Sequence, residues 1–130
     1  MNNNFKLPTE WLKQAEYDMD TAKAMLKTGR YIYAVFMCHL AIEKVIKGTY
    51  SKIIKKDPPK THDLVYLSEL TSLDLAEDFT KFLDSLNDIS IPTRYPDELE
   101  KLVKQYSKER IKKILNQTEE LLQCLKEKLQ

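Results

Sequence analysis

The sequence predicts an all-α domain, a four- to five-helix up-and-down bundle, on three observations. Apolar residues recur at spacings of three and four through most of the chain, the period of a helix face. Only two glycines and five prolines interrupt its 130 residues, too few for a turn-rich β protein. Most of these breakers fall between the periodic stretches, at Gly29, at Pro58-Pro59 and at Pro92 and Pro96, while Gly48 lies within one. A chain of this length, residues 1–130, makes one domain with one core.

The first helix is expected to start near Pro8-Thr9, with Thr9 as N-cap. Trp11, Ala15, Met19, Ala22 and Leu26 form its inner face, and Glu16, Asp18, Asp20 and Lys23 face away. Lys27 suits the C-terminal dipole, and Gly29 is the natural stop. The short connection makes the second helix an antiparallel neighbour. That helix, from Tyr31 onward, carries two apolar stripes: Ala34, Cys38, Ala41 and Val45, then Val35, Ile42, Ile46 and Ile53. Two stripes place it between neighbours, and its small residues, Gly48 among them, allow close approach. Lys55-Lys56 close it before the prolines.

Thr61 is expected to cap a short helix running from His62 to about Leu70. Ser72 or Asp74 would cap the next, with Ala76, Phe79, Leu83 and Leu86 inward. Ser90 to Pro96 is expected to leave regular helix, since it holds two prolines. Asp97 opens a further segment. The last helix covers roughly Ser107 to Leu129, with Ile111, Ile114, Leu115, Thr118, Leu122, Leu125 and Leu129 in period.

Charge is balanced overall, at +1, but unevenly placed. Residues 1–60 and 101–130 are basic, while 61–100 hold ten acids against two bases. Bulk charge therefore does not point to nucleic acid, which leaves any contact with a nucleotide or RNA to a local site. The uneven placement suits complementary surfaces within the fold or between copies. No apolar run of about 18 residues occurs, so no membrane span is expected. The first residues lack a signal-peptide core, and the expected location is cytoplasmic. Cys38 and Cys124 sit in apolar helical patterns and read as buried free thiols.

Familiar catalytic and cofactor signatures are absent. Gly29 and Gly48 stand alone, so there is no phosphate-cradling glycine loop. Cys38 and His39 are adjacent and point apart on a helix, which is not zinc spacing. Neither a metal nor a cofactor is expected.

Three basic features remain, each with two readings. Glu43 and Lys47 are four apart with the acid first, an order worth about 0.2–0.5 kcal/mol as a surface pair. Alternatively Lys44 and Lys47 present ammonium groups to a phosphate, with Glu43 orienting them. Lys60-Thr61-His62-Asp63-Leu64 is either an ordinary cap with an exposed histidine or an anion site at a helix start, with His62 as charge or general acid/base. In Ile91-Pro92-Thr93-Arg94-Tyr95-Pro96-Asp97 the prolines would stiffen a loop around Arg94, the residue for bidentate phosphate binding. The bland alternative pairs Arg94 with a nearby acid and packs Tyr95 as an anchor. His39, on the crowded second helix, reads as an interior or interface histidine.

Taken in order, these segments resemble the HEPN family, the higher-eukaryote and prokaryote nucleotide-binding domains. The first-helix stretch Trp11 to Asp18 and the second-helix stretch Tyr31 to Lys47 are similar to its opening helices. Lys60 to Leu64 and the Ile-Pro-Thr-Arg-Tyr-Pro loop at 91–96 follow in the order of one of its subgroups. The resemblance implies a helical bundle, a homodimer, and pairing with a nucleotidyltransferase in a toxin–antitoxin-like system. Many members are metal-independent ribonucleases with Arg, four to six residues, then His. This chain departs from that pattern: Arg30 and His39 are nine apart, and no histidine follows Arg94 or Arg110. Ser90 stands where members with this loop often have tyrosine. The expectation is thus a non-catalytic member whose phosphate-bearing ligand meets Glu43, Lys44, Lys47, His62, Arg94 and Tyr95. The alternatives are a ribonuclease with relocated residues and a pure protein-interaction module.

Overall fold

The computed structural model describes residues 4–129. Within them lie six helices and no strand: α1 (Pro8–Lys27), α2 (Tyr31–Ile54), α3 (Leu64–Leu70), α4 (Glu77–Arg94), α5 (Leu99–Gln105) and α6 (Lys108–Leu129). The all-α class holds. The helix count is six rather than four to five, because two short helices, α3 and α5, stand beside four long ones, and α5 opens at Leu99 after an N-cap at Glu98 instead of at Asp97.

Thr9 does not cap α1. Leu7 is the N-cap and Pro8 the first helical residue, where a ring-fixed φ and a missing N–H cost nothing. The helix ends as its sequence demands. Gly29 takes φ +78, the Arg30 N–H donates to the Met25 carbonyl, and the Gly29 N–H to that of Leu26. These crossed bonds reverse the chain within three residues. α2 therefore runs back along α1, and the Ser51 hydroxyl donates to the Lys6 carbonyl at the far end. Gly48 permits close approach at this seam: a Cβ there would lie 3.0 Å from the Trp11 Cβ, a tight contact.

Both stripes of α2 are buried except Ile53, which lies exposed near the helix end. α6 runs parallel to α2 and antiparallel to α1, with Lys126 bonded to Glu16 and Lys23 paired with Glu119. Its stripe of Ile111, Ile114, Leu115, Leu122 and Leu125 is buried. Each such side chain contributes roughly 1.5–3 kcal/mol. Cys38 is buried and Cys124 half-buried, both free. Burial pushes the Cys38 thiol up to about 12.

The α3–α4 region differs most from expectation. Asp63, not Thr61, caps α3 and accepts from the Val65 and Tyr66 N–H groups. Thr61 instead accepts from the Asp63 N–H. The N-cap of α4 is Ala76, which is exposed, and Phe82 takes the inward place beside Leu83 and Leu86. α4 also continues through Pro92 to Arg94. Pro92 falls in the final turn, where only one backbone bond is forfeited, and the Thr93 and Ser90 hydroxyls donate to the Ser90 and Asn87 carbonyls just before it. The helix stops before Pro96.

Among the described residues no helix is long and apolar enough to cross a membrane.

Candidate functional site

α2, α3 and α4 meet around a cleft of about 530 Å³. Its walls include His39 from α2, His62 and Asp63 at the start of α3, and Asn87 and Arg94 from α4. Antiparallel packing of α4 on α2 produces this grouping. Asn87 lies opposite His39, and Arg94 lies over the Phe36 ring at 5.2 Å.

Behind the cleft sits a buried ionic chain. Glu43 is 4% exposed and Lys47 7%. Lys47 Nζ donates to Glu43 Oε2 at 3.0 Å, so the i,i+4 pair forms, but inside the protein instead of on its surface. Glu43 Oε1 lies 2.9 Å from His62 Nδ1. Since a carboxylate accepts, Nδ1 carries the proton in that bond, and Nε2 is turned away from Glu43. The His62 side chain is 65% exposed, so the ring joins a buried acid to an open cleft.

Asn87 ties the three helices together. Its Oδ1 accepts from the Leu64 N–H at 3.0 Å and its Nδ2 donates to Asp63 Oδ1 at 2.9 Å. Those two partners fix the amide orientation. They also fix His39, whose Nε2 lies 3.3 Å from Asn87 Oδ1 and must donate. His39 Nδ1 is left buried with no hydrogen-bond partner, 3.7 Å from Glu43 Oε1. Burial, opposed by Glu43 and reinforced by Arg94, lowers the His39 pKa to about 4. His39 is thus the interior, hydrogen-bonded histidine that its position predicted.

The other anticipated residues divide. Arg94 is half-buried, and its Nη2 has no hydrogen-bond partner. It rides on the last turn of α4, not on a proline-stiffened loop. Lys44 is committed elsewhere: its Nζ lies 2.8 Å from Asp18 Oδ2, bridging α2 to α1. Asp18, expected to face away, is buried by that contact. Tyr95 is 88% exposed, so it does not anchor the core. The structure therefore groups His62 and Arg94 at the cleft, with Glu43 and Lys47 behind them.

Three contributors escaped the sequence reading: Asn87, the capping role of Asp63, and the acids Asp84 and Asp88 on the cleft rim. Asn87 left a signal. It follows Leu83 and Leu86 on the same helix face, an amide beside a stripe expected to be apolar. Among the described residues no three His, Cys, Asp or Glu side chains converge as a metal site would require.

An all-α domain centred on one buried helix, with a polar cleft at the α2–α3–α4 junction, is the class of protein that these features define. The HEPN domain model matches residues 9–129, and the chain belongs to that family. The structure is similar to that of TT1696 from Thermus thermophilus, with 27% identity and a TM-score of 0.79 over 93% of this chain and 97% of that one. It is similar also to ST0689, an archaeal HEPN homologue, with 23% identity and a TM-score of 0.76 over 97% of this chain and 100% of that one. That second likeness speaks for the fold alone. No curated protein matches the sequence.

Proposed function

We propose that the chain is a non-catalytic, cytoplasmic HEPN protein that binds a nucleotide or another phosphate-bearing ligand in the α2–α3–α4 cleft. The observation that carries this reading is Arg94. A guanidinium with a buried, unpartnered nitrogen, lining the same cleft as an exposed histidine, is a donor in want of an anion. As the imidazolium, His62 supplies a second donor, Nε2–H, from across the cleft, and the buried Glu43–Lys47 pair fixes its ring through Nδ1. Asp63, Asp84 and Asp88 also line the cleft and oppose a phosphate close to them, which leaves Arg94 and His62 as its partners. Tyr95 follows Arg94 directly and offers an exposed ring for stacking on a base. Family membership further supports a homodimer that pairs with a nucleotidyltransferase in a toxin–antitoxin-like system. Calorimetric titration with AMP, ADP, ATP and GTP is the test. Saturable heat is expected for the wild type, with at least about tenfold weaker binding in Arg94→Ala. Equal heats in both proteins, or none with any nucleotide, would sink the ligand-binding reading.

One observation favours a second reading. His62 and Arg94 face the same cleft, and His62 is oriented by a carboxylate, as a general base would be. In a metal-independent ribonuclease, His62 would take the proton of a ribose 2′-hydroxyl as its oxygen attacks phosphorus. Arg94 would stabilise the negative charge on the phosphoryl oxygens, and the P–O5′ bond would break to leave a 2′,3′-cyclic phosphate and a 5′-hydroxyl protonated from water. RNA cleavage in EDTA, lost in His62→Ala, is the expected result under this reading. Intact RNA after long incubation with concentrated protein would remove it.

A further inference from the structure

α4 and α6 both pack on α2 yet barely touch each other. In a closed bundle these antiparallel helices would share a seam. A groove of about 520 Å³ lies between them instead. Its floor is apolar: Phe79, Phe82 and Ile89 from α4, and Ile114 from α6. Of these, Phe79 and Ile89 are only half-buried. Along α4 the groove runs from residue 78 to residue 89, ~16 Å or about three helical turns.

The rim is polarised. Arg110 and Lys113, one turn apart on α6, stand at the end where the Tyr106 hydroxyl donates to the Ile89 carbonyl. Arg110 Nη1 donates to the Gln105 carbonyl and the guanidinium lies over the Tyr106 ring. Both partners are neutral, so the charge stays uncompensated by them. At the opposite end stand Asp78 and Glu120, with Lys81 between them paired to Glu77, so that end remains acidic on balance. This face of α4 differs from the one bearing Asn87 and Arg94.

We propose that this groove docks an amphipathic helix of a partner protein, apolar toward the floor, with acidic residues at the end that meets Arg110 and Lys113. Two parallel walls resting on a third helix form the slot that another helix fills by seating its ridges in the grooves. Covering Phe79 and Ile89 supplies the hydrophobic gain. The two cations supply charge complementarity, and the acids at the other end oppose a reversed guest. The groove therefore selects both the amphipathicity of the helix and its direction.

The probe is a fluorescein-labelled acetylated peptide of about 18 residues, long enough to be partly helical. It carries leucines in an a/d pattern and glutamates in one terminal turn. Its twin carries lysines in place of the glutamates. Anisotropy titration of both into the full chain at low salt is expected to show saturable binding of the glutamate peptide, at least about tenfold tighter than its twin. The exposed double variant Arg110→Glu/Lys113→Glu should invert that preference while keeping its helical dichroism. Amide shifts on binding should map to Phe79, Phe82, Ile89 and Ile114. Equal affinity for both peptides, no saturation to millimolar protein, or shifts centred on Asn87 and Arg94 would overturn the proposal. So would self-association of the wild type that the double variant abolishes, because a second copy would then fill the groove.

Discussion

Lys44 and Lys47 lie three residues apart on α2, and the two flanks of the molecule use them differently. On the α1 side Lys44 meets Asp18 in a single close ion contact at the margin of an apolar seam. That seam is set by shape: Ala15, Ala22, Ala34 and Ala41 are fully buried, and Gly48 lets Trp11 approach. Toward the α3–α4 side Lys47 begins a polar chain through Glu43, His62, His39 and Asn87, although its ammonium also lies 5.9 Å from the centre of the Trp11 ring. One flank is held by complementary volume, the other by polar groups that hydrogen-bond one another, His39 Nδ1 excepted, and continue into an open cleft. Volume resists change without signalling it, whereas a buried polar chain responds when one member gains or loses a proton or a partner. The flank that opens to solvent is thus also the responsive one.

The largest effect that would sharpen this contrast is expected from Glu43→Gln. It leaves the Lys47 ammonium buried without its counter-charge, a loss of about 3–5 kcal/mol in urea unfolding. Combining Glu43→Leu with Lys47→Met should restore most of that stability, since paired removal leaves no orphan charge. A loss below about 1 kcal/mol in Glu43→Gln would show that water reaches the pair and that the polar flank is not a closed network.

Next comes pH. His39 has a folded pKa of about 4 against an ordinary 6.5, so the fold favours its neutral form. The stability tied to that preference is full above pH ~6.5 and is lost as pH falls toward 4, an amount of about 3 kcal/mol. The groups facing the ring are Glu43 on its own helix, His62 before α3, and Asn87 and Arg94 on α4. Unfolding midpoints at pH 7 and pH 4.5 should therefore differ more in the wild type than in His39→Gln. Identical pH slopes would place the acid sensitivity elsewhere.

The smallest expected effect tests the other flank. Gly48→Val drives methyl groups into the Trp11 side chain and should cost about 1–3 kcal/mol, with the same loss at pH 7 and pH 4.5. A pH-dependent loss would mean that the two flanks are coupled.

The α1 flank was legible because each of its decisions is local. Gly29 at the turn, small residues on α2 and a 3.6-residue period are all visible within a few positions. The polar flank depends on residues far apart in sequence. Glu43 finds His62 nineteen positions on, and Asn87 reaches back to Asp63 and Leu64. Spacing alone assigned Glu43 and Lys47 to a surface pair, because i,i+4 geometry does not reveal what packs above it. Lys44 looked interchangeable with Lys47 for the same reason. Pro92 misled differently: the rule that proline breaks a helix holds for interiors, and Pro92 sits in a final turn. Asp18 was placed outside because its partner, twenty-six residues on, was invisible to the local pattern.

α2 makes the principal contacts with every other helix, and this has a consequence for how the molecule can come apart. Drawn as a graph of those contacts, the fold is a star with two short chords, α1–α6 and α3–α4. Deleting the central node leaves two disconnected pairs and a lone α5, none with a core of its own. No partition into autonomous halves exists, so α3 and α5 can fray singly, but the remainder stands or dissolves as one cooperative unit.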